Sequence, residues 1–154
     1  MDVNKINPIL EAVACILPLI GFQAVERKEV SLGGPIISWK GVIINIGMLG
    51  SVKGSIVIGM EKEAACRFAS TMMMGMEVKE LDEMSQSAIS EMANMVCANA
   101  CTLFFQEGME GVDISPPVLF VGEGGRITLP VPKVISVAFM VDDIPVNLHI
   151  GLNT

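Results

Sequence analysis

Ser87, Glu91, Asn94 and Pro117 stand in the order Ser-x3-Glu-x2-Asn-x22-Pro. On a helix, Glu91 and Asn94 at i, i+3 present a carboxylate and a carboxamide side by side. A carboxamide donates and accepts hydrogen bonds without carrying charge, which suits it to holding a water molecule. A carboxylate beside it can pair with a cation. These two groups cannot make a self-sufficient hydrolase. The single His149 has no partner motif for nucleophilic catalysis, and no acidic and histidine cluster has metal-ligand spacing. The pair can instead complete a site that another protein mostly supplies. Positioning alone can contribute substantially where catalysis is mostly orientation and electrostatics, as in phosphoryl transfer.

The element that must position them is the longest helix, predicted from near Asp82 to about Glu107 and stopped by Gly108. Asp82 and Glu83 in its first turn oppose the positive end of the helix dipole. At about 100° per residue, Ile89, Ala93, Val96, Ala100 and Phe104 fall within about 80° of one another, with Leu103 close by. That stripe should pack on a sheet. Ser87, Glu91, Asn94 and Ala98 lie almost opposite, within a strip about 40° wide. Ala98 has almost no side chain, so another surface could approach the strip closely. On composition alone, the strip also reads as an ordinary solvated face.

Two further helices are expected. Asn7-Pro8 is read as an N-cap and first helical proline, opening a helix to about Leu19 or Ile20 whose last turn Pro18 disturbs. Another should run from Glu61 to Met74, ended by Gly75. Alternating and β-branched residues place strands at about 41–48, 52–60, 134–141 and 144–152, and two more at 25–32 and 112–121. Val42 to Met60 aligns without gaps on Val134 to Leu152 at an offset of 92 residues, so the chain reads as two unequal helix-plus-hairpin copies. Gly122-Glu123-Gly124-Gly125 lacks the lysine of a phosphate loop and reads as a hairpin loop. The expected fold is α/β in an α+β-like arrangement: antiparallel hairpins in an extended sheet, with helices packed on it.

With 154 residues, one domain over 1–154 is expected. Half the residues are hydrophobic and 18% are charged, which argues against disorder. A net charge of −7 argues against nucleic acid and anionic membrane surfaces, whose binding rests on basic side chains. The opening Met1-Asp2-Val3-Asn4-Lys5 lacks the order of a signal peptide. The longest apolar run, Ala12 to Phe22, is broken by Pro18 and Gly21, short of the ~18–20 residues of a membrane span. A cytoplasmic chain is expected. Cys97 and Cys101, at i, i+4 among Val, Ala and Leu, read as core packing rather than metal ligands. Met72-Met73-Met74-Gly75-Met76 reads either as a soft partner-binding surface or as an irregular core edge, the second being preferred.

The motif on Ser87, Glu91, Asn94 and Pro117 resembles the signature of the CheC/CheX phosphatases of bacterial chemotaxis. A single motif copy in a short chain is similar to CheX rather than to the two-site CheC. The resemblance implies that Asn94 orients the attacking water within a phosphorylated CheY-like receiver and that Glu91 pairs with the receiver's lysine. Ser87 would cap or contact the partner's rim, and Pro117 would shape a strand beside the helix. It implies no cofactor on this chain, magnesium on the receiver, and a homodimer, for which 144–152 offers a possible edge strand. In the first helix, Glu11 and Ala14 take the i, i+3 positions, so a second copy would lack its amide. The alternative reading is a non-catalytic scaffold related to the flagellar switch proteins.

Overall fold

The computed structural model describes residues 3–153. Three helices, α1 (Val3–Leu19), α2 (Lys62–Met72) and α3 (Glu83–Gln106), pack on one face of a seven-stranded antiparallel sheet. The strands are β1 (Val25–Gly33), β2 (Ile36–Gly50), β3 (Lys53–Met60), β4 (Val112–Ile114), β5 (Val118–Thr128), β6 (Val134–Val141) and β7 (Ile144–Asn153). Their order is β1-β6-β7-β3-β2, with β4 and β5 sharing the outer edge of β2. The period-two alternation explains which face each strand turns to the helices. Val42, Ile44 and Ile46 of β2, and Ile144, Val146, Leu148, Ile150 and Leu152 of β7, enter the main core with the helices' apolar stripes. The reverse face carries only a small cluster around Ile43, Val57, Leu129 and Val131.

The two halves exchange strands. Hairpins β2–β3 and β6–β7 meet where β3 pairs with β7, Ile56 opposite Ile150. β1 from the first half pairs with β6 of the second, and β5 from the second pairs with β2 of the first. The β6–β7 turn has Asp142 at φ 49° and Asp143 at φ 65°, the paired positive values of a type I′ turn. The Asp142 carboxylate also accepts from the Ala24 N–H at 2.7 Å, tying the turn to the start of β1.

Four expectations are corrected. The first helix begins at Val3, so Pro8 lies inside it and is not its first residue. The added turn buries Ile6, which joins Pro8, Ile9 and Leu10 on the buried side, and this packing outweighs the proline's missing donor. The glycine-rich stretch 122–125 is a bulged part of β5 and not a loop. A Cβ on Gly125 would stand 3.1 Å from the Trp39 indole nitrogen, so these glycines make room for that ring. The expected strand 112–121 is two strands, broken at 115–117. Finally, 144–152 is no edge. β7 is paired on both sides, and the open edges are β1 and the β4–β5 pair.

Candidate functional site

α3 starts at Asp82, whose carboxylate accepts from the Ser85 N–H at 2.9 Å and from its hydroxyl at 2.8 Å. These bonds, the backbone one foremost, hold the Asp82 carboxyl below the usual carboxylate range. From this fixed start the helix turns Ile89, Ala93, Val96, Ala100 and Phe104 into the core, with Met92 and Cys97 widening the stripe. By length and hydropathy α3 could cross a membrane, but most of its apolar residues pack into the main core, Met84 and Phe105 being the exposed large ones. On its opposite side Ser87, Glu91 and Ala98 are exposed and Asn94 is half-buried.

Pro117 is brought to this strip by a defect in strand pairing. Ile114 of β4 pairs with Met48 of β2. The Ser115 N–H then donates to the Gly47 carbonyl at 2.9 Å, and the Gly47 N–H donates to the Ser115 hydroxyl at 2.8 Å. Pairing resumes with Val118 opposite Asn45. Two prolines therefore face the single Ile46, a bulge in which their missing N–H groups leave no ladder bond unmade. The bulge and α3 wall a groove of about 720 Å³.

Ser87, Glu91, Asn94 and Pro117 all line this groove, and Ala98 does not. Ala98 lies one helical turn beyond Asn94. Sequence reasoning missed Glu83, Gln86 and Ser90 on the helix side and Ser115 on the strand side. Ser90 stands at i−4 from Asn94, the one signal that could have drawn attention to it.

Hydrogen bonding separates these polar groups into two kinds. Gln86 donates to the Leu81 carbonyl at 2.7 Å, and Ser115 is held by Gly47. Among the described residues, no side-chain partner exists for Ser87, Ser90, Glu91 or Asn94. Ser87 and Glu91 are exposed and Ser90 and Asn94 half-buried, so all four are open to water or to a docked molecule. Among the described residues that line the groove, the ionisable groups are Glu83 and Glu91, and none is a cation that could hold a phosphate. Its carboxylates can pair with a cation and its amide and hydroxyls can hold a water.

Other reactive groups lie elsewhere. Cys97 is buried and its thiol is pushed up to about 12 by burial, so it stays protonated. Burial also raises the half-buried Cys101. On α1, Glu11 and Ala14 are both exposed. That face has a carboxylate and, at the amide position, only a methyl group.

The profile of the family described as "Chemotaxis phosphatase CheX" matches residues 42–140. A relative from Thermotoga maritima, "CheY-P phosphatase CheX", is 30% identical over 128 residues, covering 82% of this chain and 81% of the relative. The crystal structure of a CheC-like superfamily protein from Shewanella sp. PV-4 superposes with a TM-score of 0.87 at 24% identity, covering 100% of both chains. A CheX–CheY–BeF3–Mg2+ complex from Borrelia burgdorferi matches with a TM-score of 0.80 at 24% identity, over 99% of this chain and 100% of that one.

Proposed function

This chain belongs to the chemotaxis phosphatase CheX family, and from that premise we propose that it hydrolyses the aspartyl phosphate of a CheY-like receiver by inserting Glu91 and Asn94 into the receiver's active site. The observation that carries this assignment of residues is the partnerless carboxamide–carboxylate pair in a groove without cations. In the Borrelia complex, beryllofluoride stands in for the phosphoryl group and is present together with CheY and magnesium. The present groove has the complementary deficiencies.

In this mechanism the receiver holds the acyl phosphate, the magnesium and a lysine. The Glu91 carboxylate pairs with that lysine and fixes the docking register. The Asn94 amide oxygen accepts a hydrogen bond from a water and holds it in line with the scissile P–O bond. Water attacks phosphorus, the bond to the aspartyl oxygen breaks, and the aspartate leaves as carboxylate. One water proton passes to the departing phosphate. Ser87 and Ser90 flank the pair and contact the partner's rim, and Pro117 forms the opposite wall. Ala98 leaves room for the partner one turn further on.

The acidic net charge suits neither nucleic acid nor an anionic membrane, and the chain acts in the cytoplasm beside its receiver. It works as a homodimer built through an open strand edge. Both open edges expose apolar side chains, Val118 and Phe120 on β5 and Val30 and Leu32 on β1, and the run of charged residues 26–29 on β1 favours β5. No structural observation favours the scaffold reading, which leaves the free Asn94 amide without a purpose.

The test follows decay of a phosphorylated CheY-like receiver with wild type and Asn94→Ala, beside titration of the beryllofluoride–magnesium receiver. The expected result is stimulated decay with wild type and its loss in Asn94→Ala, with receiver binding largely kept. Undiminished decay with Asn94→Ala would remove the catalytic assignment and promote the scaffold reading.

A further inference from the structure

The methionine cluster that the phosphatase site leaves unused divides in two. Met72 and Met73 pack against the main core, whereas Met74, Met76 and Met84 are exposed. Met74 is 97% exposed and also sits at φ 61°. It occupies the C′ position of a Schellman turn: the Gly75 N–H donates to the Ser70 carbonyl at 2.8 Å, and the Met74 N–H to the Thr71 carbonyl at 3.2 Å. That position favours glycine, and the glycine of this turn stands one residue later. An exposed apolar side chain on an unfavourable backbone contributes little to folding. Strain of this kind gathers at functional surfaces.

Met84 connects the cluster to the site. It lies at i−3 from Ser87 and i−7 from Glu91, on the Glu91 side of the strip. At 1.5 Å per residue, it stands about 10 Å from Glu91 along the helix axis. Between α3 and the segment after α2, Met73, Met76, Val78 and Met84 line a second hollow of about 340 Å³ together with the charged Glu77, Lys79, Glu80 and Asp82. Methionines set among charged side chains suit a protein interface, where methionine is enriched.

We propose that Met74, Met76 and Met84 form an apolar footing for the receiver surface bordering its phosphorylation site. This rests on the phosphatase reading above. Continuity selects the occupant. A standard interface covers about 800 Å² per partner, a patch about 15 Å in radius, so a receiver centred on Glu91 reaches Met84 and the hollow beside it. The cluster lies in the turn and segment after α2 and in the first turn of α3 and carries no open strand edge, which sets it apart from strand pairing with a second copy. The division of labour is then clear: Glu91 and Asn94 supply register and chemistry, and the methionines supply adaptable affinity.

Titration of a beryllofluoride- and magnesium-loaded CheY-like receiver against wild type, the double variant Met76→Gln/Met84→Gln and Met74→Gly tests this. The double variant is expected to bind about 10- to 100-fold more weakly, as loss of buried interface anchors does. Its KM for phosphorylated receiver should rise with kcat retained, the signature of lost uniform binding. Met74→Gly should bind more weakly while unfolding at a higher temperature, which separates docking from folding. Unchanged receiver affinity in the double variant, with wild type active, overturns the footing and leaves the phosphatase reading standing. A shift in the monomer–dimer equilibrium with receiver affinity unchanged also overturns it, assigning the patch to a second copy. A wild type that neither binds nor dephosphorylates the receiver defeats the phosphatase reading itself.

Discussion

Glu91 and Asn94 share one strip of α3, yet their removal should show in different measurements. Losing one oriented contact at a developing transition state costs ~10²–10³ in rate, so Asn94→Ala should lower kcat by about that factor and leave receiver affinity nearly unchanged. Glu91→Ala should weaken both affinity and turnover, because a charge pair in a partly dehydrated interface serves association as well as alignment. Parallel binding and single-turnover measurements check the split; equal losses in Kd and kcat for both variants would erase the distinction. A third residue-scale outcome concerns folding alone. Met74→Gly relieves a left-handed backbone and should raise stability by roughly 0.5–1 kcal/mol in denaturant titration. The sequence made Ser87, Glu91 and Asn94 legible because helical phase sets them opposite a clear apolar stripe. Ser90 and Gln86 were not legible, since Ser and Gln on a helix surface look alike until their bonds are known. Only the structure shows Gln86 tied to Leu81 while Ser90 is free.

At the scale of elements, the site depends on how the bulge at Pro116-Pro117 is pinned. Its anchor is the pair of bonds between Ser115 and Gly47, and the close fit is visible in the 3.0 Å that would separate a Cβ on Gly47 from the Ser115 hydroxyl. Ser115→Ala removes the acceptor of the Gly47 N–H and should cost about 1 kcal/mol of stability. It should also raise KM for the phosphorylated receiver, because the groove wall loses its fixed position. Ser115→Thr keeps the hydroxyl and should restore both values; failure of that rescue would detach the wall from the hydroxyl. The long helix was readable to within a residue because its cap, stripe and stop all agree. The start of α1 was not, because Asn7-Pro8 is a sound local signal that the burial of Ile6 overrides. The stretch 122–125 misled for a similar reason: glycines that look like a loop are there to accept the Trp39 ring, an opposite-strand neighbour that local sequence cannot announce.

For the whole molecule, the 92-residue offset correctly suggested two related halves, but not that they trade edge strands. Hairpin pairing is local and leaves a trace in turn residues, while β1 on β6 and β5 on β2 are long-range choices made by the assembled core. This is why 144–152, self-sufficient as a hairpin strand, was mistaken for an edge when it is central. The central seam also contains the chain's one histidine. His149 of β7 meets Ser136 of β6 across the hairpin, Nδ1 to hydroxyl at 2.7 Å. Burial lowers its pKa below the ordinary 6.5. The folded state therefore resists a proton that the unfolded chain accepts. Stability from this source is complete above 6.5 and declines as pH falls through 6.5 toward the lower folded value. Asp82, held below its ordinary 3.8, acts in a separate window, its contribution lost as pH falls below 3.8. Between these windows few side chains titrate, since free carboxyls ionise near 4 and thiols near 8.5. Thermal unfolding followed from about pH 8 to 5 should thus stay level and then fall below about 6.5, with the fall greatly reduced in His149→Gln. A wild-type profile that stays level to pH 5, or a His149→Gln profile that falls just as steeply, would show that the seam does not set the acid limit of this fold.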